Sequence, residues 1–353
     1  VTEQRGWLEK LLKGSKRAKR QSPEQFAAYR WSNFALKQEP VRDISSTGAF
    51  IVTEHRWPLD TPISIVLQRE GPLEMHPDHR ITMHAIVARH GKDGVGLAFI
   101  VPTDQEALKW DSLEKSIIEQ AAPKEMTGLV KMIQAVGFLS RICPHGVDEI
   151  SQLIRSRLSN NKVISAVGIA LHAENVLSSV LASDKTLANP RLAVRILEEG
   201  SRAEEDHLQH LWGGLLIASC SVDGKDESNR SFVELFAQLS TVSGRILELV
   251  CTRSTKFLAE DGSIAAQPLA CNIEEVRVST GSRGIQIEHE FSRLSGLRLL
   301  DKRSPGSLAL LPSDETYLTV TSHGLELFAR CSGHQGPPQT FYKLRAPGTL
   351  DSA

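Results

Sequence analysis

The period of the apolar residues changes at Pro102-Thr103-Asp104, and that change divides the chain into two folding problems. Before it, apolar runs are short and rich in Val, Ile and Phe. Val41 to Ile44, Ala49 to Thr53 and Ile63 to Gln68 are each bounded by Gly, Pro, Asp or Ser, which predicts strands. Ile81 to His90 alternates loosely, and Val95 to Val101 follows the loop Gly91-Lys92-Asp93-Gly94, as a hairpin would. Short strands at close spacing, with no helix between them, predict a small antiparallel barrel whose closure removes its edges.

After the change the spacing is helical. Asp104 can cap a helix with Leu108, Leu113 and Ile117 on its core face. Further helices are predicted over Lys124 to Arg141, Val147 to Arg157, Val163 to Ala182, Pro190 to Gly200, Glu204 to Cys220 and Phe232 to Leu258. Asn189 followed by Pro190 gives a capping residue and then proline at the first helical position. Toward the end the pattern is mixed: Ile285 to Leu294 reads as helix, Leu297 to Leu300, Leu308 to Leu311 and Tyr317 to Thr321 as strands, and Leu325 to Cys331 as helix. That order predicts a winged-helix-like end. The expected fold class is therefore α+β and multidomain. Its parts are a basic arm over 1–14, a barrel over 15–103, a helical linker or bundle over 104–186, a helical domain over 187–332 and a loosely ordered tail over 333–353.

Composition narrows the functional classes. The longest apolar stretches, Val163 to Leu171 and Leu211 to Cys220, fall short of the roughly 20 residues a membrane span needs. No secretory signal is expected from the opening residues, which lack an apolar core, and five scattered cysteines without a C-x-x-C pair argue against a disulfide framework or structural zinc. A reducing cytoplasm is the expected setting. The formal charge of −1 conceals an asymmetry. Residues 1–103 hold 15 Lys/Arg against 11 Asp/Glu, and seven of those bases lie in the first 20 residues: Arg5, Lys10, Lys13, Lys16, Arg17, Lys19 and Arg20. A basic segment beside an ordinary domain is the footprint of an anionic ligand, while the plainer reading is a solvated terminus.

The sharpest local motif is Asp43-Ile44-Ser45-Ser46-Thr47-Gly48, a D-x-S-x-x-G turn between two strand runs. Asp, Ser and Gly also favour such a turn for local reasons alone. Together with the basic segment ending at Arg20, the turn resembles the PilZ domain, the cyclic-di-GMP receptor family of bacteria. The resemblance covers about residues 15 to 103, including the late hairpin ending Val95-Gly96-Leu97-Ala98-Phe99. It implies a barrel that binds cyclic di-GMP through Lys16, Arg17, Arg20, Asp43, Ser45 and Gly48. Guanidinium groups can fork onto guanine O6 and N7 or onto phosphate, the Asp43 carboxylate can accept from the guanine N1 and N2 edge, and the Ser45 hydroxyl can bind phosphate or orient that carboxylate. Gly48 permits an unusual backbone and close approach of the ligand. Lys16 stands where the family's R-x-x-x-R has its first arginine, and it supplies a point charge without the fork.

Other constellations carry less. His76, His79 and His84, and His207 with His210, have metal-like spacing but no clear third ligand, so surface histidines are expected and no metal. Gly213-Gly214 lacks the Lys-Ser/Thr of a phosphate loop, and no nucleophile–base set can be assembled around Cys143-Pro144-His145. Catalysis is not expected, nor a cofactor beyond the nucleotide ligand. Residues from about Leu187 to Ser332 resemble the abortive-infection protein alpha family, associated with bacterial phage defence, through Asn189-Pro190, Glu204 to Leu216, Ser231 to Ser240 and Tyr317 to Phe328. These stretches are mainly apolar periodicity, with Trp212 reading as core. Two functions follow: a cyclic-di-GMP sensor that signals to a helical output domain, and alternatively a defence effector whose helical half carries the output. That half is expected to meet a protein partner or a second copy. It is acidic and lacks a basic recognition helix, so nucleic acid is not expected as a partner.

Overall fold

The computed structural model describes residues 26–32, 35–45, 47–69, 80–100, 104–121, 126–179, 186–303 and 315–344. The basic N-terminal segment, with Lys16, Arg17 and Arg20, and the expected strand Leu308 to Leu311 lie outside them.

The first part is a closed six-stranded antiparallel barrel in the order β1-β2-β3-β6-β5-β4. Its strands are β1 (Phe26–Ser32), β2 (Ala35–Ser45), β3 (Gly48–Val52), β4 (Pro62–Arg69), β5 (Arg80–His90) and β6 (Gly94–Phe99). Alternation fills the inside with one residue in two: Ala28, Val41, Ile44, Ala49, Ile51, Ile63, Ile65, Leu67, Ala85, Val87, Val95 and Leu97 form one buried cluster.

The outward faces of β1 and β4 are apolar as well, and the reason is a helix. Of the helices that follow, α1 (Asp104–Ala121), α2 (Met126–Ile142), α3 (Val147–Arg157) and α4 (Asn160–Ser179), it is α2 that crosses these strands. Its Leu129, Val130 and Ile133 join Ala27, Tyr29 and Val66 in a separate core that fastens the barrel to the helical region. Each such aliphatic side chain taken from water contributes roughly 1.5–3 kcal/mol. Close approach is possible because α2 carries Gly137 at the crossing: a Cβ there would collide with Ser64 Oγ and the His84 ring.

The remaining helices share one large core. The first four of them are α5 (Pro190–Gly200), α6 (Asp206–Ala218), α7 (Arg230–Phe236) and α8 (Thr241–Arg253). Asn189 caps α5 as expected, accepting from the amides of Arg191 and Leu192. The single helix expected over Phe232 to Leu258 is instead α7 and α8 followed by a short strand over Lys256–Leu258. The break has a local cause, since the Ser240 hydroxyl accepts from the Ser243 amide and starts a new helix.

Beyond α8, strand β7 (Leu269–Asn272), helices α9 (Ile273–Thr280) and α10 (Gly284–Gly296), and strands β8 (Leu300–Arg303) and β9 (Glu315–Val320) follow in winged-helix order, with the sheet running β7-β9-β8. The strand expected at Leu297 to Leu300 begins only at Leu300, because Arg298 turns the chain with φ 57°. The tail is not loose as far as Leu344. After α11 (Ser322–Cys331), Phe341, Tyr342 and Leu344 pack on the helical core, and the Tyr342 hydroxyl donates to the Leu325 carbonyl at 2.8 Å.

Candidate ligand-binding face

The D-x-S-x-x-G turn joins β2 to β3, and its register decides which side chains reach the surface. Val41 pairs with Ile51 but Asp43 pairs with Phe50, so a bulge inserts one residue into β2. Val41 and Ile44 still point into the barrel, while Arg42 and Asp43 both stand outside, opposite Phe50. Ser45, paired with Gly48, continues the outer row.

Each predicted residue in the described region has a definite place. Asp43 lies on the outer wall with its side chain 19% exposed and its Oδ2 3.5 Å from Arg42 Nε. The Ser45 hydroxyl serves the turn itself, accepting from the Thr47 amide at 3.3 Å and donating to the Gly48 carbonyl at 3.2 Å. Gly48 does not have the unusual backbone expected of it, for its φ is not positive. Its glycine is required because a Cβ would run into the Leu97 carbonyl of β6. The close approach is strand to strand.

The wall holds residues that the sequence reading did not weigh. Phe50 points outward yet is 1% exposed. Glycines at 91 and 94 make the trough for its ring, since a Cβ at either would touch it, and Gly96 lets the Arg89 stem lie flat across β6. The Arg42 guanidinium carbon sits 3.5 Å from the ring centroid, and that of Arg89 5.7 Å. Arg42 Nη1 donates to Asp93 at 2.9 Å. Asp93 is held in place by Arg56, whose guanidinium donates to the carbonyls of Gly91, Lys92 and Gly94 around the β5–β6 turn.

The opposite wall is a second polar locus. His84 on β5 hydrogen-bonds Ser64 at 2.8 Å and meets the Trp110 ring edge-on at 4.7 Å. Burial lowers its pKa to about 4, with Arg141 adding in the same direction. Arg141 is itself lowered by burial, with Glu174 opposing and Arg30 reinforcing.

The histidine pairs singled out by spacing have other partners. His207 bonds Glu248 at 2.6 Å, and His210 meets the ring of His172 edge-on at 5.3 Å; His76 and His79 lie outside the described residues. Among the described residues, no group of three or more His, Cys, Asp or Glu is placed to hold a metal. No described helix is long and apolar enough to cross a membrane. Cys143, Cys220, Cys251, Cys271 and Cys331 are all buried free thiols, and burial raises their pKa, that of Cys143 to about 12.

Among curated proteins nothing matches the chain. A barrel with an Asp-Ser-Gly bend on its outer wall, followed by a helical region, agrees with the two families that do match: residues 31–116 match the PilZ domain, and residues 165–313 match the family described as Abortive infection alpha.

Proposed function

We propose that the chain is a cyclic-di-GMP receptor that binds rather than catalyses, with the barrel as sensor and the helical half as output. The observation carrying this reading is the β2–β3 bulge, which sets Asp43 on the outer wall, in one row with Ser45, as an acceptor for the guanine N1 and N2 edge. The PilZ match supports the ligand class. Lys16, Arg17 and Arg20 supply the cations that close over the dinucleotide.

Barrel order gives the signal a direction. β3 and β6 stand across the barrel from β1 and β4, the pair that docks on α2. The basic segment precedes β1 in the sequence, and β1 carries Ala27, Tyr29 and Arg30 to the helical side, so a ligand that grips residues 16–20 would bias that docking.

The match to Abortive infection alpha favours a second reading, in which residues 165–313 carry a defence output and the barrel is its switch. Val278 and Ile285, 83% and 79% exposed on α9 and α10, offer a surface for a protein partner or second copy. The five buried thiols suit a reducing cytoplasm.

A thermal-shift panel of cyclic di-GMP, cyclic di-AMP and cyclic GMP-AMP on the full chain tests the sensor reading. Selective stabilisation by cyclic di-GMP is expected, by mass action. No shift with any of the three discards it.

A further inference from the structure

The arginine one residue before the motif has been built into a fixed plane. Its Nε faces Asp43 at 3.5 Å and its Nη1 donates to Asp93 at 2.9 Å, so two carboxylates hold its edge. One face lies 3.5 Å from the centroid of Phe50, a ring sunk in a glycine-lined trough. The side chain is nevertheless 44% exposed. With two nitrogens engaged, forked recognition of a base or phosphate is closed to it. Its outer face, with Nη2 at the rim, stays open, and such a plane is suited to stacking on a purine. Asp43, the acceptor for a guanine edge, is its immediate neighbour.

Arg89 completes the group. It is exposed, its guanidinium lies 5.7 Å from the same ring, and among the described residues no carboxylate is within ion-pair range of it. A cation with no carboxylate partner among the described residues, beside a stacking plane, matches a base joined to a phosphate.

We propose that Arg42, backed by Phe50, is the stacking platform for one guanine of the dinucleotide, and that Arg89 is the counter-charge for the adjoining phosphate. The assignment rests on the receptor reading above and adds to it a base-stacking residue outside the D-x-S-x-x-G motif.

Isothermal calorimetry of cyclic di-GMP with the full chain tests it, using wild type, Arg42→Lys, Arg42→Ala, Arg89→Ala and Asp43→Ala. Arg42→Lys keeps the charge and loses the plane, so both Arg42 variants are expected to weaken binding to a similar extent, about tenfold, with unchanged melting temperature. Arg89→Ala is expected to weaken it about as much. Wild-type affinity in Arg42→Lys beside a loss in Arg42→Ala reduces Arg42 to a charge and overturns the stacking role. Wild-type affinity in both Arg42 variants, with binding lost in Asp43→Ala, overturns the platform and leaves the receptor reading standing. No heat from the wild-type chain overturns both.

Discussion

Arg30 on β1 and Glu174 on α4 lie 3.9 Å apart with side chains only 9% and 5% exposed, which makes them a buried ionic tie between the barrel and the helical half. Arg30 also sits 5.0 Å from the Trp57 ring, and its Nε is buried without a hydrogen-bond partner among the described residues. Arg141 lies within electrostatic reach of both charges, Glu174 favouring its charged form and Arg30 opposing it.

That arrangement is asymmetric, and the asymmetry is measurable. Glu174→Gln removes the carboxylate beside the buried Arg30 guanidinium, and we expect a loss of about 3 kcal/mol in urea unfolding. Arg30→Met leaves Glu174 still compensated by Arg141 and is expected to cost about 1 kcal/mol. Equal losses would show that Arg141 takes no part.

Gly137 sets how closely α2 lies on the barrel. Gly137→Ala would push a methyl group into Ser64 Oγ and the His84 ring, so α2 must lift or the His84–Ser64 bond must break. A loss of about 1–3 kcal/mol is expected, the usual cost of overpacking. Hydrogen exchange should locate the weakened protection in β1, β4 and α2 rather than in α7 and α8.

How much of this was legible in the sequence depended on range. Alternation in Ala49 to Thr53 and Ile63 to Gln68 reports a strand directly, and Asp43 with Ser45 marks the turn. Strict alternation, however, puts Arg42 and Asp43 on opposite faces. Only the bulge, a property of the pairing with β3, brings both outside. The trough under Phe50 needs glycines at 91 and 94, some forty residues away in the chain, and Arg30 reads as an ordinary strand residue until Glu174 is placed beside it. The helix break at Ser240 was within reach, since Ser240 with Ser243 is a local capping pattern inside an otherwise apolar run.

Acid should loosen the barrel–helix contact through His84. Its folded pKa of about 4 lies below the unfolded value of about 6.5, so the unfolded chain binds the extra proton between those limits. Its neutral form therefore contributes stability that is intact above about pH 6.5 and lost as pH falls toward 4, on the order of 3 kcal/mol in all. Urea midpoints between pH 7 and pH 4.5 should fall more steeply for wild type than for His84→Asn. Parallel curves would contradict the assignment.

The receptor reading is tested most directly by calorimetric titration of cyclic di-GMP into the wild-type chain and into Asp43→Ala. Saturable binding by the first and none by the second is the predicted result. Equal affinity in both would place the dinucleotide away from the outer wall of β2 and β3 and would contradict the account.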